Sequence, residues 1–222
     1  RALVRRQTNL KWGFIGGGLN PVVPLIDITS VNSDDINTNS IANYLAKQPS
    51  IKVIIIVSAT RNLFKLSNDY SLAEMNKYIQ VEEIQSEFAD WIRPLNQSKK
   101  KIIILRDNPT LHDPTYCHGV YPAVDVLKRF TQRAQLVEGC YYNLTTFNSD
   151  TSKYQKLLAG LKNIYPSIKI VDLTKYFCDE IKGRCELFRN GRLLYSYTDH
   201  ISDFAADYVA TQLILNLERS TL

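Results

Sequence analysis

The feature that most constrains this chain is a set of short, β-branched apolar runs: 12-WGFIGG-17, 51-IKVIIIVS-58, 101-KIIILRD-107 and 168-IKIVDL-173. Runs of this length that are apolar throughout, rather than alternating with polar residues, fit strands buried on both faces. Helix-period patterns separate them, at 35-DINTNSIANYLAKQ-48, 72-LAEMNKYIQVEEIQSEFADWIRPL-95, 121-YPAVDVLKRFTQRAQL-136, 152-SKYQKLLAGLKNIY-165 and 203-DFAADYVATQLILNLE-218. Buried parallel strands need crossover connections of helix length. The alternation therefore predicts an α/β fold, a three-layer sandwich with helices on both faces of a mostly parallel sheet. With 23-VPLIDITS-30 as a further candidate, the sheet has about four to five strands.

A chain of 222 residues, 45% apolar and 22% charged, can bury one sizeable core, and a single domain over 1–222 is the simplest organisation. In open parallel sheets the ligand lies beyond the carboxyl ends of the strands. The informative residues are then Gly16 to Asn20, Ser58 to Asn62 and Arg106 to Pro109, joined by Asp199 and His200 just before the last helix.

The net charge of +5 comes in short clusters, Arg1, Arg5 and Arg6 and then Lys99, Lys100 and Lys101, without an aromatic-studded basic stripe. That pattern argues against nucleic acid and for solvated turns. No run reaches the length of a membrane-spanning helix, and the N-terminus lacks the apolar core of a signal peptide. The start at Arg1, without an initiator Met, suggests a fragment of a larger protein that includes a membrane part.

Four cysteines form two candidate pairs: Cys178 with Cys185 around 179-DEIKGR-184, and Cys117 with Cys140. Two disulfides in an oxidising compartment is the preferred reading over four free thiols. Sequons at Asn96 and Asn143 are compatible with secretion. His112 and His118 flank Cys117, but without a fourth ligand or paired spacing they do not make a zinc site, and no metal or cofactor is expected.

The segment 171-VDLTKYFCDEIKGRCELFRNGRLLYSYTDHISDFAADYVATQL-213 resembles the C-terminal end of the SGNH-type domain fused to membrane O-acyltransferases of the acyltransferase-three family. The order is a strand, a short helix, a Cys-bracketed loop, an Asn-Gly hairpin, then Asp and His before a last helix. The stretches 102-IIILRDNPTLHDPTYC-117 and 53-VIIIVSATRNLF-64 are similar to further parts of that family. The resemblance implies an SGNH-hydrolase-like, flavodoxin-like sandwich outside the cytoplasm, in the periplasm or extracellular space, tethered to a membrane through an N-terminal region. It implies transfer of acyl groups, mostly acetyl, to glycan hydroxyls, with a glycan acceptor and a membrane acyltransferase domain as partners. In that family a Ser after the first strand, a His before the last helix and an Asp three residues earlier form the catalytic set. The imidazole takes the hydroxyl proton and the carboxylate orients the imidazole.

This chain departs from the pattern. The family's Asp and Ser fall on Gly17 and Gly18 in 14-FIGGGLNP-21, and its orienting Asp falls on Tyr197. His200 holds the histidine position, and Asp199 is the nearest carboxylate. Gly17, Gly18 and Asn62 are candidates for the oxyanion environment and Arg61 for substrate binding. Ser30 and Ser58 are the alternative nucleophiles. Each reading has a plainer rival: His200 as a polar residue beside a helix N-terminus capped by Ser202, the glycines as a flexible turn, and Arg61 and Asn62 as a surface loop. Whether the chain is an enzyme stays open, the alternative being an inactive relative that binds glycan or docks on its membrane partner.

Overall fold

The computed structural model describes residues 38–58, 80–109, 141–190, 192–197 and 200–218. In chain order they form α1 (Thr38–Lys47), β1 (Val53–Val57), α2 (Val81–Gln97), β2 (Lys101–Arg106), β3 (Tyr141–Asn143), α3 (Leu144–Asp150), α4 (Ser152–Ile164) and β4 (Lys169–Asp172). Then follow α5 (Thr174–Phe177), β5 (Cys178–Asp179), β6 (Arg184–Glu186), β7 (Phe188–Arg189), β8 (Arg192–Leu193), β9 (Tyr195–Tyr197), β10 (His200–Ile201) and α6 (Asp203–Glu218). Two compact units emerge. One contains the described residues up to Asp107 together with 148–172; the other contains 108–109, 141–147 and everything described from Leu173 on.

The first unit is built on a parallel sheet of order β1-β2-β4. Ile54 pairs with Ile102 and Ile56 with Ile104. Because side chains alternate along a strand, these four share one face. That face packs on Phe88, Trp91 and Leu95 of α2 and on Leu157 and Leu161 of α4, with Ala42 of α1 in the same core. The alternate positions Ile103, Leu105 and Val171 are buried as well. Every residue of β2 after Lys101 is buried, as the unbroken apolar run requires. Removing each such side chain from water contributes roughly 1.5–3 kcal/mol.

Helices α1, α4 and α6 fall inside their expected spans. Helix α2 does not: Gln80 is extended at φ −92 and ψ 92, so this helix starts at Val81 inside the expected 72–95 span, of which 72–79 lie outside the described residues. The apolar period runs through this point without a phase break, so periodicity alone misses it. The acidic pair Glu82 and Glu83, which complements the positive helix end, marks the true start. At the other end Pro94 removes one helical donor, yet the helix continues to Gln97, where Ser98 Oγ donates to Leu95 O at 2.7 Å. The candidate strands 12–17 and 23–30, the helix 121–136, and the pair Cys117 and Cys140 lie outside the described residues.

In the second unit β3, β6 and β5 form an antiparallel sheet. Cys178 stands directly opposite Cys185 across β5 and β6, and the two are joined by a disulfide, so this expected pair is borne out. Asn143 ends β3 and starts α3: its Oδ1 accepts the amide protons of Thr145 and Thr146 at 2.9 and 3.2 Å. Strands β7 and β8 form the Asn-Gly hairpin, Arg189 pairing with Arg192, and Asn190 takes φ 52 as such tight turns demand. Helix α6 buries Ala205, Val209 and Leu213, four residues apart, with Ala210 beside them on the same stripe. Among the described residues no helix is long and apolar enough to cross a membrane.

Candidate functional site

His200 lies on β10, exposed, and pairs with Tyr197 of β9 across an antiparallel ladder whose register shifts between His200 and Ile201. Its immediate neighbours are firmly held. Ser202 caps α6, its Oγ accepting the amide proton of Ala205 at 3.1 Å. The same hydroxyl donates to Leu193 O at 2.6 Å, and the Ser202 amide donates to Leu194 O at 2.8 Å. Ser202 thus caps α6 as the plainer reading of this segment expects, and His200 stands two residues ahead of the cap.

Tyr195 supports the same hairpin from beneath. Its ring is fully buried against Phe177, and its hydroxyl donates to Pro109 O at 2.6 Å. Tyr195 pairs with Ile201, the residue after His200. The segment after β2 thus fixes the strand that carries the histidine's ladder partner.

In the first unit the carboxyl ends of β2 and β4 hold a polar cluster. Arg106 and Asp172 face each other in the parallel register, with Nη1 2.8 Å from Oδ2. The Arg106 side chain is 10% exposed and that of Asp172 49%, so the carboxylate alone reaches water. Arg106 Nη2 also donates to Thr151 Oγ1 at 3.3 Å, and Gln155 Nε2 donates to the same oxygen at 3.1 Å. Tyr154 is buried beside this group. Burial pushes its phenol well above the usual range, and the Asp107 carboxylate adds to the effect. It remains a neutral hydroxyl at any physiological pH.

Of the residues expected at the site, His200, Ser58 and the strand-end stretch Arg106 to Pro109 are described. Gly17, Gly18, Arg61, Asn62 and Asp199 lie outside the described residues, as do Ser30, His112 and His118. Ser58, the other alternative nucleophile, follows β1 at its carboxyl end, half-buried. The partners Thr151, Tyr154, Asp172 and Tyr195 were not foreseen. One signal was available: Arg106 closes an otherwise apolar run, and a charge at the end of a buried strand needs a partner.

The comparison with known proteins supplies the family. A family model described as "SGNH domain (fused to AT3 domains)" matches residues 14–214. The chain belongs to this SGNH family. The matched span runs from Phe14, just ahead of Gly16 to Gly18 in the sequence, past His200 and through most of α6. This SGNH domain is therefore acyltransferase-associated, and its mixed α/β architecture on a parallel sheet is that of the SGNH fold. A solved structure described as a candidate platelet activating factor from Streptococcus pneumonia is similar, with a TM-score of 0.39 and 11% identity, over 81% of this chain and 90% of that one. No curated protein matches the sequence.

Proposed function

We propose that this chain is the extracytoplasmic SGNH domain of a carbohydrate O-acyltransferase, one domain of a larger membrane protein. It takes an acyl group, acetyl foremost, from a membrane acyltransferase domain and passes it to a glycan hydroxyl. The observation that carries the proposal is the family match, whose members are fused to AT3 domains. The disulfide between Cys178 and Cys185 supports an oxidising compartment.

In this reading His200 is the general base, with Asp199 orienting it. Because Gly18 stands where the family carries Ser, His200 acts on the acceptor directly. The imidazole removes the proton of the sugar hydroxyl as that oxygen attacks the acyl carbonyl, and amides around Gly17 and Gly18 with Asn62 receive the oxyanion. Arg61 binds substrate. The tetrahedral intermediate then expels the donor's leaving group, which takes the proton back from the imidazolium, and no acyl-enzyme forms.

The same glycine favours a second reading, an inactive SGNH domain that binds glycan or docks on the acyltransferase. The two separate by turnover of para-nitrophenyl acetate in the wild type and in His200→Ala. Loss of turnover in the variant supports the enzyme; equal rates, together with glycan binding, support the inactive relative.

A further inference from the structure

Lysines far apart in sequence meet at the amino-terminal edge of the parallel sheet. Lys47 ends α1, Lys52 precedes β1, and Lys99 and Lys100 join α2 to β2; with Pro49 and Ile51 they line a concavity of about 330 Å³. No acidic side chain lines it. In the sequence, Lys99 to Lys101 read as a solvated turn. The fold makes that turn half of a larger patch.

Part of the charge answers the helices that end here, since carbonyls at a helix C-terminus attract cations. Lys100 does so, with Nζ 2.6 Å from Gln48 O and 2.9 Å from Ile51 O. Lys47, Lys52 and Lys99 are exposed instead. Lys99 also holds a left-handed backbone, φ 56, at the position after a helix where glycine is favoured, and still carries a long cationic side chain.

We infer that this edge docks on an anionic lipid surface, the lysine ammonium groups meeting headgroup phosphates. The choice of a bilayer follows from the fusion of this family to membrane acyltransferase domains, which keeps the domain beside lipid. Exposed lysines act there as point charges without needing a shaped pocket. Strand β2 is six residues long. The carboxyl ends thus stand about 20 Å beyond the docked edge, on the side away from lipid, where a surface glycan is reached. The inference does not depend on acyl transfer and fails or stands separately from it.

The test is co-sedimentation of the chain with vesicles of phosphatidylcholine alone and of phosphatidylcholine mixed with phosphatidylglycerol, at low and high salt. Binding to the anionic vesicles alone, weakened by salt, is expected. The triple variant Lys47→Glu, Lys52→Glu, Lys99→Glu should lower that binding about a hundredfold, and an equal reversal at Lys153, Lys156 and Lys175 much less. Circular dichroism checks that both are folded, and the three single Lys→Gln variants, each expected to cost a few-fold, carry the test if the triple is not. Equal binding to both vesicle types, equal loss in both triples, or binding to an acidic polysaccharide but not to anionic vesicles would overturn it.

Discussion

Arg106 shows how one residue's burial decides what its neighbours are worth. The guanidinium is nearly enclosed and Asp172 half in water, so the two halves of the pair are not equivalent. Asp172→Ala removes a carboxylate partner from a buried guanidinium and should cost about 2–3 kcal/mol. Arg106→Met keeps the volume of the stem and leaves a carboxylate that water can solvate, so about 1–2 kcal/mol is expected. Urea unfolding of both variants checks the order. At Tyr195, substitution by Phe keeps the packing on Phe177 but removes the shorter of two side-chain bonds to Pro109 O, which Asn108 Nδ2 also reaches at 3.4 Å, a loss of about 1 kcal/mol by the same measurement.

Among the elements, the hairpin of β5 and β6 is closed by a disulfide and by an ionic turn. Its disulfide spans a sequence separation of 7. Closing a loop that short restricts the unfolded chain by about 2–3 kcal/mol, so Cys178→Ser with Cys185→Ser should lower stability by that amount. The turn itself is ionic. The backbone amide of Lys182, and then its ammonium, hold the Asp179 carboxyl below its usual range, while Glu186 first and Asp179 second hold the Lys182 ammonium above its own. The Asp179 contribution is present above the ordinary carboxylate range and is lost as pH falls through the lowered value. The Lys182 contribution is present below the ordinary lysine range and disappears as pH rises through the raised value. Amide exchange in this turn should quicken at both extremes beyond the intrinsic rate, and in Lys182→Met the alkaline part should vanish. Before α6, Ser202→Ala removes the cap and the bond to Leu193 O, a cost of about 1–3 kcal/mol on thermal unfolding.

Legibility followed the same division. The strands β1, β2 and β4 were plain in the sequence because each holds a short β-branched apolar stretch between turn residues, and the cap of α6 because Ser202 precedes a strong stripe. The start of α2 was not, since an extended Gln80 leaves no trace in an apolar period. The polar cluster under Arg106 was hidden for another reason: Thr151, Tyr154 and Asp172 come from separate segments, and only the fold brings them to one strand end.

For the whole molecule, family and fold follow from the match over residues 14–214, and the proposed chemistry rests on His200 acting with Gly18 in place of a serine. Twin mass measurements address that point: the chain is incubated with an acetyl ester and an oligosaccharide acceptor, and both protein and glycan are weighed. Direct transfer predicts acetylated glycan from the wild type, none above background from His200→Ala, and an unmodified protein mass throughout. An acetyl adduct that builds up on a serine such as Ser58, or glycan acetylation that survives His200→Ala undiminished, would contradict it.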